Sequence, residues 1–291
     1  MDIAELQSII MSGLVLGALY ALMSTGLSLV WGTVRLFNFA HGSLVMFGAY
    51  LAWTVCDRRA LGWGLWPAII ISLAAMFVIG IIFDLLLAKP FLKRANAVIL
   101  VLITTLSASS FLENFAQWVW GPRMKRLPPM ARGRIEFLHG YITAQELILI
   151  ILAPLLLFSL WVFLRKTKLG LAIRSVEQNQ KFAQLVGINM SRIYSLTFGL
   201  GAFMATVAGI FFGAKSFIVP SMGAEPLLKA FIVVILGGLG SLIGTVVGAY
   251  LVGFVEAVSM SVIGLYGTPA VLFLLMIVVL MVKPNGLLGK D

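Results

Sequence analysis

The sequence predicts an all-α, polytopic integral membrane protein, and three observations carry that prediction. Of 291 residues, 61% are hydrophobic and 11% charged, whereas a soluble domain carries about 25% charged residues. Mean hydropathy is +1.06, so the folded surface must itself be apolar and face lipid. The apolar residues also fall into runs of membrane-crossing length, too continuous for the alternating strands of an outer-membrane barrel. The same composition excludes a pair of soluble domains, a disordered chain and a disulfide scaffold. Cys56 is the single cysteine and has no internal partner. The net charge of +10 does not indicate nucleic-acid binding, because the Lys and Arg residues sit in short loops between apolar runs rather than on a soluble basic face.

A span needs about 20 mainly apolar residues. The expected spans are residues 6–31, 36–56, 63–88, 96–120, 146–164, 193–213, 227–256 and 268–282. The first lacks the basic start and small-residue cleavage site of a signal peptide, so it is expected to remain as a span. The run 227–256 is long for one crossing and holds Gly237, Gly238, Gly240, Gly244 and Gly248. It is either one tilted helix or two helices broken near 237–241, which gives eight or nine spans. The last run opens with Thr268-Pro269, which suggests Thr as N-cap and Pro at the first helical position.

Orientation follows the basic residues. Arg165, Lys166, Lys168, Arg174, Lys181 and Arg192 cluster in loop 165–192, and Lys89, Lys93 and Arg94 lie on the same side two spans earlier. With both loops cytoplasmic, the acidic start Met1-Asp2 is outside. The margin is thin, because loop 121–145 carries Arg123, Lys125, Arg126, Arg132 and Arg134 on the outer side. In this orientation Leu16-Gly17-Ala18 and Leu200-Gly201-Ala202 open small-residue helices that run in opposite directions, and Gly48-Ala49-Tyr50 is echoed by Gly248-Ala249-Tyr250. Such matches are the mark of an inverted repeat, though they also arise readily in Gly/Ala-rich helices.

The polar residues inside or beside the runs are the candidate functional ones. Asn38, His41 and Ser43 begin the second run, where they either build a helix start or line a pathway. Gly240, Gly244 and Gly248 are spaced to share a helix face, as in close helix packing or a broken helix around a pathway. Of the acids Asp84, Glu113 and Glu256, the first and last are expected near interfaces. Glu113 is therefore the deep acid that an ion-coupled carrier would need. In loop 165–192, Asn179 can cap a short helix whose Phe182, Leu185 and Val186 form an apolar face stopped by Gly187, and Ser191 can cap the next span. An apolar face on a cytoplasmic helix either lies on the membrane or fills a groove on a soluble partner. The chain shows no phosphate-binding loop and no His-Glu-x-x-His zinc motif. No catalytic constellation supports an intramembrane enzyme.

Five blocks together resemble one family. Asn38-Phe39-Ala40-His41-Gly42, Phe47-Gly48-Ala49-Tyr50, Val186-Gly187-Ile188-Asn189, Leu236-Gly237-Gly238-Leu239-Gly240-Ser241 and Lys283-Pro284-Asn285-Gly286-Leu287-Leu288-Gly289 are similar to motifs of the branched-chain amino-acid ABC importer permeases of the LivH type, in the same order. The resemblance implies a single permease domain over 1–291 in a bacterial inner (cytoplasmic) membrane, with 165–192 as its cytoplasmic coupling loop. It implies a second permease subunit of the LivH or LivM type, two cytoplasmic ATPase subunits and a periplasmic binding protein as partners. ATP is then used by the partner ATPases, and this chain has no cofactor of its own. Phe182, Ala183, Leu185, Val186 and Gly187 would form the ATPase-coupling segment. Ala183-x3-Gly187 matches the coupling-loop core, but Lys181 stands where an acid is expected. Related sugar permeases have ten helices in inverted repeats, and loss of the first would leave nine here. Permeases of the same type also import urea, short amides or aromatic acids, and an ion-coupled secondary transporter is the reading from a different class.

Overall fold

The computed structural model describes residues 3–289 except 59, 93, 95, 138 and 139, and not the side chains of 4, 136, 137 and 140. Two expectations about charge, at Asp2 and Lys93, therefore fall outside the described residues. Eleven α-helices are described: α1 (Ile3–Val34), α2 (His41–Cys56), α3 (Leu65–Phe83), α4 (Ala97–Trp120), α5 (Ala144–Lys166), α6 (Lys168–Gln178), α7 (Gln180–Leu185), α8 (Met190–Lys215), α9 (Ala224–Gly237), α10 (Leu242–Val262) and α11 (Thr268–Val282). A π-helical turn, Asp84–Ala88, extends α3. Among the described residues, six helical stretches are long and apolar enough to cross a membrane: Glu5–Val34, Leu65–Ala88, Ala97–Trp120, Ala144–Lys166, Met190–Lys215 and Leu242–Val262. The apolar helices α2, α9 and α11 are shorter.

One short hairpin accompanies the helices. Loop 121–145 contains an antiparallel hairpin, β1 (Arg134–Phe137) and β2 (Gly140–Thr143), because the loop's own backbone groups must be paired where they cover the helix ends. The loop folds back over the end of α8: Lys125 N donates to Ile218 O (3.1 Å), and Leu127 N donates to Gly213 O (3.1 Å). Lys125 also lies 4.4 Å from the Trp53 ring centroid.

Helix ends follow local chemistry. Thr143 and Glu146 form a reciprocal capping box at the start of α5, satisfying amides that have no intrahelical acceptor. Two expected caps are corrected. At α11 the N-cap is Gly267; Thr268 is already helical and its hydroxyl donates back to Gly264 O (2.9 Å). At α8 the cap is Asn189, whose Oδ1 accepts from Arg192 N (3.2 Å), and not Ser191.

The long apolar run breaks where its glycines allow. α9 ends at Gly237, and α10 starts after Ser241 caps Gly244 N. Gly238 and Gly240 occupy the break with φ of +103° and +80°, a region that L side chains rarely enter. Gly240 thus stands outside α10 and does not share a helix face with Gly244 and Gly248 as expected. The closing Lys283–Gly289 block caps this break: Leu287 N donates to Leu236 O (2.8 Å), and Leu288 N donates to Gly237 O (3.1 Å). Those bonds satisfy carbonyls at the C-terminal end of α9 that would otherwise be orphaned.

α1 and α8 form the buried centre. α1 packs on α10, α9, α8 and α5, and α8 packs on α1, α2 and α3. The packing has a twofold pattern. α1 meets α10 as α8 meets α3, and α1 meets α9 as α8 meets α2. Likewise α2 meets α3 and α4 as α9 meets α10 and α11. This makes α1 the counterpart of α8, as Leu16-Gly17-Ala18 and Leu200-Gly201-Ala202 suggest. The second echo is corrected: Gly48-Ala49-Tyr50 lies on α2 and Gly248-Ala249-Tyr250 on α10, which are not counterparts. Gly and Ala recur there because both helices pack closely.

Candidate functional site: a coupling tip and a mid-depth junction

Thr167 and Asn179 divide the polar loop into two short helices. Thr167 Oγ1 accepts from Gly170 N (3.0 Å) to start α6. α6 buries Ile173 and Val176. Asn179 Oδ1 accepts from Lys181 N (3.0 Å) and Phe182 N (3.1 Å), so it caps α7 as the sequence predicts. Ala183 is buried, whereas Phe182, Leu185 and Val186 are 68%, 80% and 75% exposed. Three large apolar side chains this exposed on a short polar segment form a patch that water does not favour. Gly187 ends the turn at φ +84°, and a Cβ there would touch nothing within 4 Å.

This tip is fastened to α1. Gln180 Nε2 donates to Thr33 O (2.7 Å), and Arg35 Nη2 donates to Glu177 O (2.8 Å). The tip therefore marks one end of the bundle, called the coupling end after the role that the family resemblance implies for this segment. There α1, α3 and α5 finish and α8 starts; Ser195 Oγ on α8 donates to Asp84 Oδ2 after α3 (2.6 Å). Asp84 lies at this end as expected, but it is fully buried.

The two shorter helices meet between the ends. After α1, residues 35–40 run back along it, and α2 starts beside Met23: His41 Nε2 donates to Met23 O (3.0 Å). Asn38 shapes this start by accepting from Ala40 N (3.1 Å), although the N-cap itself is Ala40. Ser43 Oγ is 2.7 Å from Ser109 Oγ on α4. α2 then leaves for the far end, where Trp120 Nε1 donates to Thr54 Oγ1 (2.7 Å). α9 runs from the same level to the coupling end. The starts of the two helices touch through Gly42 and Gly223, each so close that an added Cβ on one would collide with the carbonyl oxygen of the other. At 1.5 Å per residue, α2 and α9 extend roughly 24 and 21 Å to opposite ends, so the Gly42–Gly223 contact sits near mid-depth.

Asn38, His41 and Ser43 are thus brought together at this junction, while Gly237, Gly238, Gly240 and Gly244 lie together at the coupling end of α9. The two sets do not form one site. Close to the junction is a charged cluster that the sequence did not reveal. Lys229 Nζ is 2.6 Å from Glu256 Oε1 and 2.7 Å from Glu225 Oε1, and Tyr20 OH donates to Glu256 Oε2 (2.7 Å). Glu256 is 2% exposed and Lys229 15%. Glu256 was expected at an interface; it is instead buried and paired, because α1 and α9 close over it. Glu113, the expected deep acid, is half-buried, and among the described residues it accepts from Ser109 Oγ at 3.4 Å. The i,i+4 spacing of Glu225 and Lys229 was the one signal in the sequence; nothing in spacing joins that pair to Glu256 and Tyr20, which lie on two other helices. Below it, towards the coupling end, Phe231 meets Phe39 and Phe37 with ring centroids at 5.0 and 5.2 Å, and Trp31 stacks on Phe37 at 4.0 Å.

At the far end, Arg126, Arg132 and Arg134 of loop 121–145 line a cavity of about 570 Å³ together with Lys215 of α8.

The described helices thus form a multi-span bundle in which two shorter helices meet near mid-depth and an exposed apolar tip stands at one end. The family model described as branched-chain amino acid transport system / permease component matches residues 9–282, and the chain belongs to that family. The chain is 32% identical to the high-affinity branched-chain amino acid transport system permease protein LivH of Escherichia coli K12, over 96% of this chain and 94% of that one. It is 31% identical to the high-affinity branched-chain amino acid transport system permease protein BraD of Pseudomonas aeruginosa, over 97% and 95%. A probable branched-chain amino acid transport permease protein LivH of Methanocaldococcus jannaschii is 28% identical, over 100% and 94%. No solved structure matches the chain.

Proposed function

We propose that this chain is the transmembrane permease subunit of an ATP-driven importer of branched-chain or similar amino acids in a bacterial inner membrane. It pairs with a second permease subunit, stands on two cytoplasmic ATPase subunits and receives substrate from a periplasmic binding protein. The chain forms one domain over 1–291, holds no cofactor and leaves ATP to its partners. We read the six long helices with α2, α9 and α11 as nine crossings, with the N-terminus in the periplasm and the coupling end in the cytoplasm; the basic residues of loop 165–192 support that orientation.

The observation that carries this reading is the α7 tip. Phe182, Leu185 and Val186 project from a segment whose polar backbone and basic neighbours keep it out of lipid, and a groove on a soluble ATPase would cover them. Burying an exposed Phe or Leu contributes about 1.5–3 kcal/mol, so the tip can anchor a cytoplasmic subunit that moves when it binds and splits nucleotide. The test is a Phe182→Ala, Leu185→Ala double variant in the reconstituted importer. Both side chains are exposed, so the thermal midpoint should be unchanged while ATP-driven leucine uptake falls at least tenfold. Full uptake in that variant, or leucine uptake driven by an ion gradient through the chain alone, overturns the proposal.

A further inference from the structure

Glu225 is 76% exposed on the first turn of α9, two residues beyond the mid-depth contact of Gly223 with Gly42. An exposed carboxylate at that depth cannot face hydrocarbon, where ionised side chains are strongly disfavoured and turn to water-filled cavities or partners. This face of α9 therefore meets water or a partner subunit, and not lipid, in the assembled protein. Its polar groups are matched in sign to a zwitterion. Lys229 holds Glu225 with one hydrogen and Glu256 with another, and Glu256 is locked by Tyr20.

We infer that Glu225 and Lys229 form a mid-membrane station for a free amino acid, with Glu225 taking its ammonium group and Lys229 its carboxylate. Binding exchanges the Glu225–Lys229 pair for two intermolecular pairs, and Glu256 stays as the permanent counter-ion of Lys229. No net charge is added, because the ligand is neutral overall. Leu228, 54% exposed on the next turn, offers its surface to an apolar ligand side chain. The rings of Phe39 and Phe231, 5.0 Å apart, stand between the station and the coupling end. The inference rests on the permease reading and deepens it: the family explains transport of amino acids, and the station explains what recognises their two charged ends inside the membrane.

The test uses the reconstituted importer carrying Leu228→Cys in a Cys56→Ser background, since Cys56 is the single native thiol. A membrane-impermeant maleimide should label position 228, and leucine should slow the labelling. Isocaproate, which lacks the ammonium group, and isoamylamine, which lacks the carboxylate, should protect at least tenfold less well. Adding Glu225→Gln should raise the leucine concentration needed for half-protection by about tenfold, the effect of one charge-assisted hydrogen bond. Absence of labelling means that lipid or the second subunit covers this face, and it overturns the station. Equal protection by the three ligands, or no effect of Glu225→Gln, overturns it too. ATP-driven leucine uptake is measured on vesicles of the native importer: normal uptake with a failed station sinks the station alone, whereas absence of ATP-dependent uptake sinks the permease reading and the station with it.

Discussion

Removing the Lys229 cation while keeping its stem, as in Lys229→Met, leaves the Glu256 carboxylate 2% exposed with only Tyr20 OH as a close partner. Breaking a buried ion pair from one side costs about 3–5 kcal/mol, because the remaining charge keeps its desolvation penalty. Neutralising both members costs far less, so Lys229→Met with Glu256→Gln should recover to within about 1–2 kcal/mol of the native protein. Glu225→Gln removes only an exposed i,i+4 partner, worth about 0.5 kcal/mol. Thermal unfolding of the purified chain in detergent measures these three variants and Glu256→Gln alone. At about 2–4 °C per kcal/mol, Lys229→Met should lower the midpoint by roughly 6–20 °C, and the double variant should regain most of it. A Lys229→Met midpoint within about 2 °C of native, or strictly additive effects of Lys229→Met and Glu256→Gln, would show that the pair is solvated and that α9 is not held through it.

Two further outcomes follow from the glycines. Gly187→Val should cost roughly 1–2 kcal/mol through its left-handed backbone alone, since a Cβ meets nothing there; membrane insertion should be normal, and coupling of ATP hydrolysis to uptake reduced, as read by leucine moved per ATP. Gly42→Ala should separate α2 from α9, because its methyl would collide with Gly223 O. The expected result is transport reduced at least tenfold with folding retained in a size-exclusion profile, and unimpaired transport would show that the two helix starts have room to part.

The long apolar helices were legible because lipid imposes length and hydropathy directly on sequence. The break at 237–241 was legible because glycine clusters there, and the α7 cap because Asn179 precedes an apolar triplet at helical spacing. Three features were not. Asn38–Ser43 reads as a helix start, but the depth of that start does not: only the tertiary contact of His41 with Met23 shows that α2 begins midway along α1. The hairpin in loop 121–145 has no alternating pattern long enough to stand out. The Tyr20–Glu256–Lys229 cluster joins residues as far as 236 positions apart, so an acid near the end of a run reads as interfacial until the helices that bury it are placed. Of the candidate site, the local segments were readable, and their division into a mid-depth junction and a coupling-end break was not.

The two bonds from Gln180 to Thr33 and from Arg35 to Glu177 have a mechanical consequence. α1 is 32 residues long, roughly 48 Å at 1.5 Å per residue, and it touches α5, α8, α9 and α10 along its length. A displacement of the α7 tip is thus handed first to the end of the helix at the centre of the bundle, not to the peripheral helices. Under the proposed function α1 is a connecting rod: a thrust at its coupling end would be carried along a helix packed at the centre of the bundle to the Tyr20 contact beside the charged cluster.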